Sequence, residues 1–91
     1  MISETTIFRH AAVCKTSRVG DSIVLYQAKT EKVHHLNPTA AMVYELCGAG
    51  KPLGEIARSV QIAFSLPEPP ISDVWACVER FAAEGLIEAC K

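Results

Sequence analysis

The sequence predicts an α+β fold in which a three-stranded antiparallel sheet is followed by three helices. Three observations predict it. The run Ser22-Ile23-Val24-Leu25-Tyr26-Gln27 is rich in β-branched and aromatic residues and is bounded by turn signals at Gly20-Asp21 and Lys29-Thr30. The short stretch ending at Leu36 runs directly into Asn37-Pro38, a preferred N-cap followed by proline at the first helical position, where its missing N–H costs nothing. Beyond that junction the apolar residues change period and recur every three or four positions.

The first strand is read over Arg9 to Lys15, where apolar and polar residues alternate loosely. Ser22 to Gln27 forms the second. Glu31 to Leu36 is the third, paired antiparallel with the second across a hairpin tip at Lys29-Thr30. By alternation His34 and Leu36 share the core face of this strand, while Val33 and His35 share the other.

The first helix follows the Asn37 cap, with Leu36 and Ala41 placed to form a hydrophobic staple, and ends where Gly48 supplies a left-handed residue. The second starts near Pro52 and buries one stripe through Leu53, Ile56, Ala57, Val60 and Phe64. The prolines at 67, 69 and 70 break the pattern, and Ser72 with Asp73 offers a new N-cap. The third helix carries Ile71, Val74, Trp75, Val78, Phe81 and Ala82 on its apolar side. It stops at Glu84-Gly85 before an extended tail, Leu86-Ile87, which closes the core.

With 91 residues the chain has room for one domain, residues 1–91, which buries roughly 60–65% of its unfolded surface. Hydrophobic residues at 49% and charged residues at 21% are a globular balance and argue against disorder. No apolar run reaches the length of a membrane span and the first residues lack the features of a signal peptide, so a cytoplasmic protein is expected. The net charge of −1, with both signs mixed along the chain, gives nothing to attract a polyanion.

The candidate chemistry is sparse. Cys14, Cys47, Cys77 and Cys90 have no metal-site spacing and each sits beside an apolar neighbour, which makes them small hydrophobes. His34 and His35 are adjacent on a strand, so their rings point to opposite faces and do not chelate one ion together. The acidic residues fall mostly at polar helix positions, and the chain has no phosphate loop and no nucleophile elbow. A protein that is not an enzyme, with no metal and no organic cofactor, is the expectation.

Certain residues nevertheless form a recognisable pattern. Leu36-Asn37, two residues, Ala40-Ala41, then Val43, Leu46 and Cys47, with Glu55-Ile56-Ala57 and a final Val74, Val78, Phe81 and Gly85-Leu86-Ile87, resembles the PqqD-like peptide chaperones. These are also the recognition elements of ribosomally made, modified peptides. The resemblance runs from about Val24 to Ile87 and is most specific at Leu-Asn-x-x-Ala-Ala and Glu-Ile-Ala. It departs from the family at Gly48 to Gly54, where an Asp-Gly and a Thr-led cap are more typical.

The resemblance implies a winged-helix-like fold that is not itself catalytic. It implies binding of a precursor's leader segment and its presentation to a modifying enzyme, such as a radical SAM enzyme, in pyrroloquinoline quinone or another modified-peptide pathway. In the family the leader lies as an added strand along the third strand, in a groove closed by the third helix. Carried onto this sequence, that implies peptide contacts at Glu31, Lys32, Val33, His34, His35 and Leu36 on the strand, and at Val74, Trp75, Val78, Phe81 and Ala82 on the helix. Which of these face the groove and which the core is open at this point. The alternatives are a structural docking module for an enzyme and a winged-helix nucleic-acid reader. Against the second, the third helix sets Arg80 against Asp73, Glu79 and Glu84.

Overall fold

A computed structural model describes residues 3–11, 14–28 and 30–90. The elements run β1 (Ile7–His10), β2 (Cys14–Val19), β3 (Ser22–Gln27), β4 (Lys32–Leu36), α1 (Pro38–Gly48), α2 (Leu53–Ala63), α3 (Ile71–Ala83) and β5 (Ile87–Cys90). The fold is α+β, with the expected three-stranded antiparallel sheet, β2-β3-β4, followed by three helices. Among the described residues no helix is long and apolar enough to cross a membrane.

A second sheet of two strands was not expected. The segment read as one strand over Arg9 to Lys15 is divided: its beginning belongs to β1, which pairs antiparallel with β5, and its end belongs to β2 in the other sheet. Alternation is local and carries no record of a strand leaving one sheet for another. The partner of β1 is the C-terminal tail, with Arg9 and Glu88 opposite each other and joined by an ion pair at 3.0 Å. Lys29, half of the expected hairpin tip, lies outside the described residues, as do the side chains of Cys14 and Cys90. The third strand begins one residue late because Glu31 occupies the left-handed region at φ 56° in the turn.

Asn37 caps α1 as its sequence predicts: its Oδ1 accepts the Ala40 N–H at 2.8 Å, and Pro38 follows. The other end differs. Gly50 at φ 78°, not Gly48, is the left-handed residue, and the N–H groups of Gly50 and Lys51 donate to the carbonyls of Cys47 and Leu46. Gly48 remains helical. Its missing Cβ leaves room for the His10 ring, which stacks on Tyr44 at 3.8 Å and whose Nε2–H donates to the Tyr44 carbonyl at 2.6 Å.

The unusual entrance to α2 is completed from far away in sequence. Pro52 provides no side-chain cap, and the N–H groups of Leu53 and Gly54 donate to the backbone carbonyls of Thr6 and Glu4. A Cβ at position 54 would crowd Glu4 at 3.3 Å, so this glycine permits the approach. Helix α3 starts at Ile71, after Pro70, so the Ser72-Asp73 cap is displaced: Asp73 sits in the first turn and no side chain caps the helix. A proline at a helix entrance has no N–H to satisfy, which lets the helix begin directly behind it. Gly85 at φ 73° ends α3 as its sequence predicts, and Leu86 N–H donates to Phe81 O at 2.8 Å.

One core joins the two sheets and three helices. It includes Phe8, Leu25, Val43, Ile56, Val78 and Leu86, all at most 1% exposed. Cys47 belongs to it, and burial pushes its thiol from an ordinary 9.0 up to about 12, so that it stays protonated at neutral pH and acts as a small hydrophobe.

Candidate functional site

The backbone of β4 offers the first part of a site. The β2-β3 hairpin has a two-residue loop, Gly20-Asp21, with Gly20 at φ 62°, and Val19 opposite Ser22 closes it. In such a hairpin the closing residues exchange both hydrogen bonds, and the exchange then skips every second pair. Ser22, Val24 and Tyr26 therefore turn their backbone groups toward β2, while Ile23, Leu25 and Gln27 turn theirs toward β4. Their partners on β4 are Leu36, His34 and Lys32. Val33 and His35 are left with N–H and C=O directed away from the sheet, at its open edge.

The C-terminal end of α3 meets the start of this strand, and its first turns face α1 just past the strand's end. At one end Lys32 Nζ reaches Glu84 Oε2 at 3.8 Å. There Gln27, the buried polar residue of the core face, donates through Nε2 to the Glu84 carbonyl at 2.9 Å, and its Oε1 accepts the His34 Nε2–H at 2.7 Å. The carbonyl of Glu84 only accepts, so the amide orientation and the His34 proton position follow from it. At the other end, just past the C-terminus of β4, Thr39 and Val43 of α1 share a cavity of about 260 Å³ with Pro70, Asp73, Val74 and Cys77. Val60, Phe64 and Leu66 complete its mostly apolar wall. Phe64 and Leu66 flank Ser65, a non-glycine residue held at φ 52°, which costs about 1–2 kcal/mol and fixes the turn at the cavity's rim. Burial also raises the Cys77 thiol on this wall.

The residues proposed from sequence separate into groups. Val33 and His35 are exposed and hold the open backbone groups. His34 is half-buried and committed to Gln27, and Lys32 is exposed and paired with Glu84. Glu31 is exposed in the turn. Leu36, Val74, Val78 and Phe81 are buried core residues, at 7%, 1%, 0% and 2% exposure, and form the floor rather than the surface. Trp75 is half-buried and Ala82 exposed. At about 100° per residue, each lies on the flank of α3 opposite Asp73, Cys77 and Glu84, the residues whose contacts place them beside β4 and α1. The sequence reading missed this second flank because Asp73 and Glu84 read as solvated carboxylates and Cys77 as filler. The available signal was Phe64 and Leu66, large apolar residues at the end of a stripe and beyond it.

Among the described residues no cluster of three or more His, Cys, Asp or Glu side chains is arranged to hold a metal. The site consists of an unpaired strand edge, a lateral helix and an apolar cavity at one end.

The fold recurs in solved structures. TbiB1, in complex with the TbiA(β) leader peptide, superposes with a TM-score of 0.78 at 20% identity, over 88% of this chain and 94% of that one. A lasso peptide synthetase B1, complexed with the leader peptide, superposes with a TM-score of 0.71 at 21% identity, over 94% of this chain and 99% of that one. No curated protein matches the sequence. The family model for coenzyme PQQ synthesis protein D matches residues 22–87, from the first residue of β3 through all three helices to the start of β5, and the chain belongs to that family.

Proposed function

We propose that this protein binds the leader segment of a ribosomally made precursor peptide as an added strand on β4 and presents it to a modifying enzyme. The reading extends to pyrroloquinoline quinone or another modified-peptide pathway, with a radical SAM enzyme as a suitable partner. The domain itself performs no turnover, needs no metal or organic cofactor and works in the cytoplasm. The observation that carries the reading is the open edge at Val33 and His35, lying beside α3 and the cavity under Phe64 and Leu66. Family membership and the leader complexes of TbiB1 and the lasso synthetase B1 support it.

The energetics assign roles to the two parts. About four backbone hydrogen bonds at roughly 0.5–1.5 kcal/mol each yield a few kcal/mol, and ordering a disordered segment takes about 2–5 kcal/mol. Backbone pairing therefore sets orientation and register. Apolar burial, at about 25 cal/mol per Å², supplies the affinity, and the cavity at the end of β4 is where a bulky leader side chain obtains it.

Titration of a fluorescent leader peptide, and separately of random duplex DNA, tests the proposal. Saturable binding of the leader alone is expected. Binding of the duplex alone would assign the fold to nucleic acid, and binding of neither would leave a docking module.

A further inference from the structure

The face of the three-stranded sheet turned away from the helices is also ordered by the register. Lys15, Tyr26 and Val33 form one row across β2, β3 and β4, and Ser17, Val24 and His35 form the next. An antiparallel sheet with an uncovered face ordinarily carries polar residues there. Here Tyr26 is 39% exposed, Val33 is 53% exposed and Val24 is half-buried. Lys15 and Ser17 stand at the β2 end of their rows and the polar His35 at the β4 end of the second, so it is in the row Lys15, Tyr26, Val33 that the charged member lies away from the open edge and an apolar one stands on it. That is the reverse of the charged side chains that keep a free edge from pairing.

We infer that the Tyr26-Val33 ridge is a specificity-determining part of the peptide site, which takes an aliphatic or aromatic side chain from the added-strand residue that pairs with Val33. The inference rests on the strand-addition reading and deepens it. Val33 turns both backbone groups outward, so an antiparallel added strand meets it in a hydrogen-bonded pair, and the two side chains of such a pair stand on the same face. The incoming side chain becomes the fourth member of the row Lys15, Tyr26, Val33, beside Val33 and two strand spacings, about 10 Å, from Tyr26, a span that a long side chain lying over Val33 covers. The residues before and after it point to the other face, toward α3. The recognised segment is therefore read on both faces, with one apolar residue outward between two that enter the groove.

Selection from a display library of random peptides tests this, using the intact protein and the variants Tyr26→Thr and Val33→Thr. Both substitutions place a β-branched residue at an exposed strand position, and thermal melts check that the fold is kept. The wild type is expected to select peptides with an apolar residue at one fixed outward position. Each variant should bind those peptides roughly two- to fivefold more weakly and, on reselection, lose the preference at that position alone. If both variants select the same peptides with wild-type affinity, the ridge has no part in recognition and only the edge reading stands. Self-association that Tyr26→Thr abolishes, with peptide affinity unchanged, would give the ridge to a second copy and overturn the inference. If the wild type selects no peptide whose binding is lost in Val33→Pro, strand addition itself fails and the ridge fails with it.

Discussion

The three-stranded sheet has two edges with the same backbone chemistry and different walls. By the hairpin register, Thr16 and Arg18 turn their N–H and C=O groups outward from β2 as Val33 and His35 do from β4. Beside β2 the wall is polar: Arg18 pairs with Glu45 of α1, and both line a cavity with His10, Thr16 and Tyr44. Beside β4 the wall is the Cys77 flank of α3, with the mostly apolar cavity at its end. A strand arriving at either edge finds hydrogen bonds, but the apolar residues near β2, Met42 and Leu46, share their cavity with the charged Arg18, Asp21 and Glu45, whereas the cavity past β4 sets Asp73 among apolar residues. An open edge becomes a binding site through the surface next to it, since hydrogen bonding scarcely offsets the ordering of the peptide.

Proline, which removes one backbone donor, separates the inward from the outward residues of β4 with the largest expected effect. His34→Pro removes a donor turned toward β3, where it pairs with buried Leu25, and also removes the side chain bonded to Gln27. A loss of about 2–4 kcal/mol is expected in denaturant melts. Val33→Pro, one residue away, should stay within about 1 kcal/mol of the wild type in the same melts. Its effect appears in leader titration, as a loss of at least about 1 kcal/mol of binding free energy. If both variants fold and bind like the wild type, β4 is not the receiving edge.

Asn37→Ala comes next in size, with a stability loss of about 0.5–2 kcal/mol from the missing N-cap. It lies at the junction of β4 and α1 but makes no outward pairing in the scheme above. Leader affinity, corrected for the folded fraction, should therefore be unchanged, and melts with parallel titrations measure both. The matching substitution on the other edge, Thr16→Pro, should leave stability within about 1 kcal/mol and leader affinity untouched. A loss of leader binding there would mean that the two edges are not functionally distinct. The smallest effect is expected from Arg18→Ala. Its ion pair with Glu45 is about half exposed on both sides, so thermal melts should register at most about 1 kcal/mol.

Much of the frame on which these predictions rest was legible in the sequence, and what was not has a common cause. Asn37-Pro38, the stripe from Leu53 and the stop at Gly85 are local signals, and the structure follows them, except that the stripe is buried only as far as Val60 and its expected last member, Phe64, is exposed past the helix end. The features missed depend on partners distant in sequence. Gly48 reads as a terminator, but its purpose is to admit the ring of His10. The second helix lacks a cap within its own sequence and takes one from the carbonyls of Glu4 and Thr6. Strand β1 is recognisable as a strand only beside β5. At the site, the strand face of each residue from Lys32 to Leu36 was readable by alternation, whereas the choice between the Trp75 and Cys77 flanks of α3 was not. Both flanks adjoin the same apolar stripe, and only the Lys32-Glu84 ion pair and the cavity shared by Thr39 and Asp73 tell which one is turned toward the β4-α1 junction.

Reception of an added strand by β4 at Val33 and His35 is measurable by amide hydrogen exchange, followed residue by residue by NMR with and without a saturating leader peptide. In the free protein the amides of His34 and Leu36 should be protected by β3, while those of Val33 and His35 exchange quickly. With the leader bound, Val33 and His35 should become protected and Thr16 and Arg18 should remain as they were. Saturation with leader that leaves the Val33 and His35 amides exchanging at their free rates would place the peptide elsewhere than on β4.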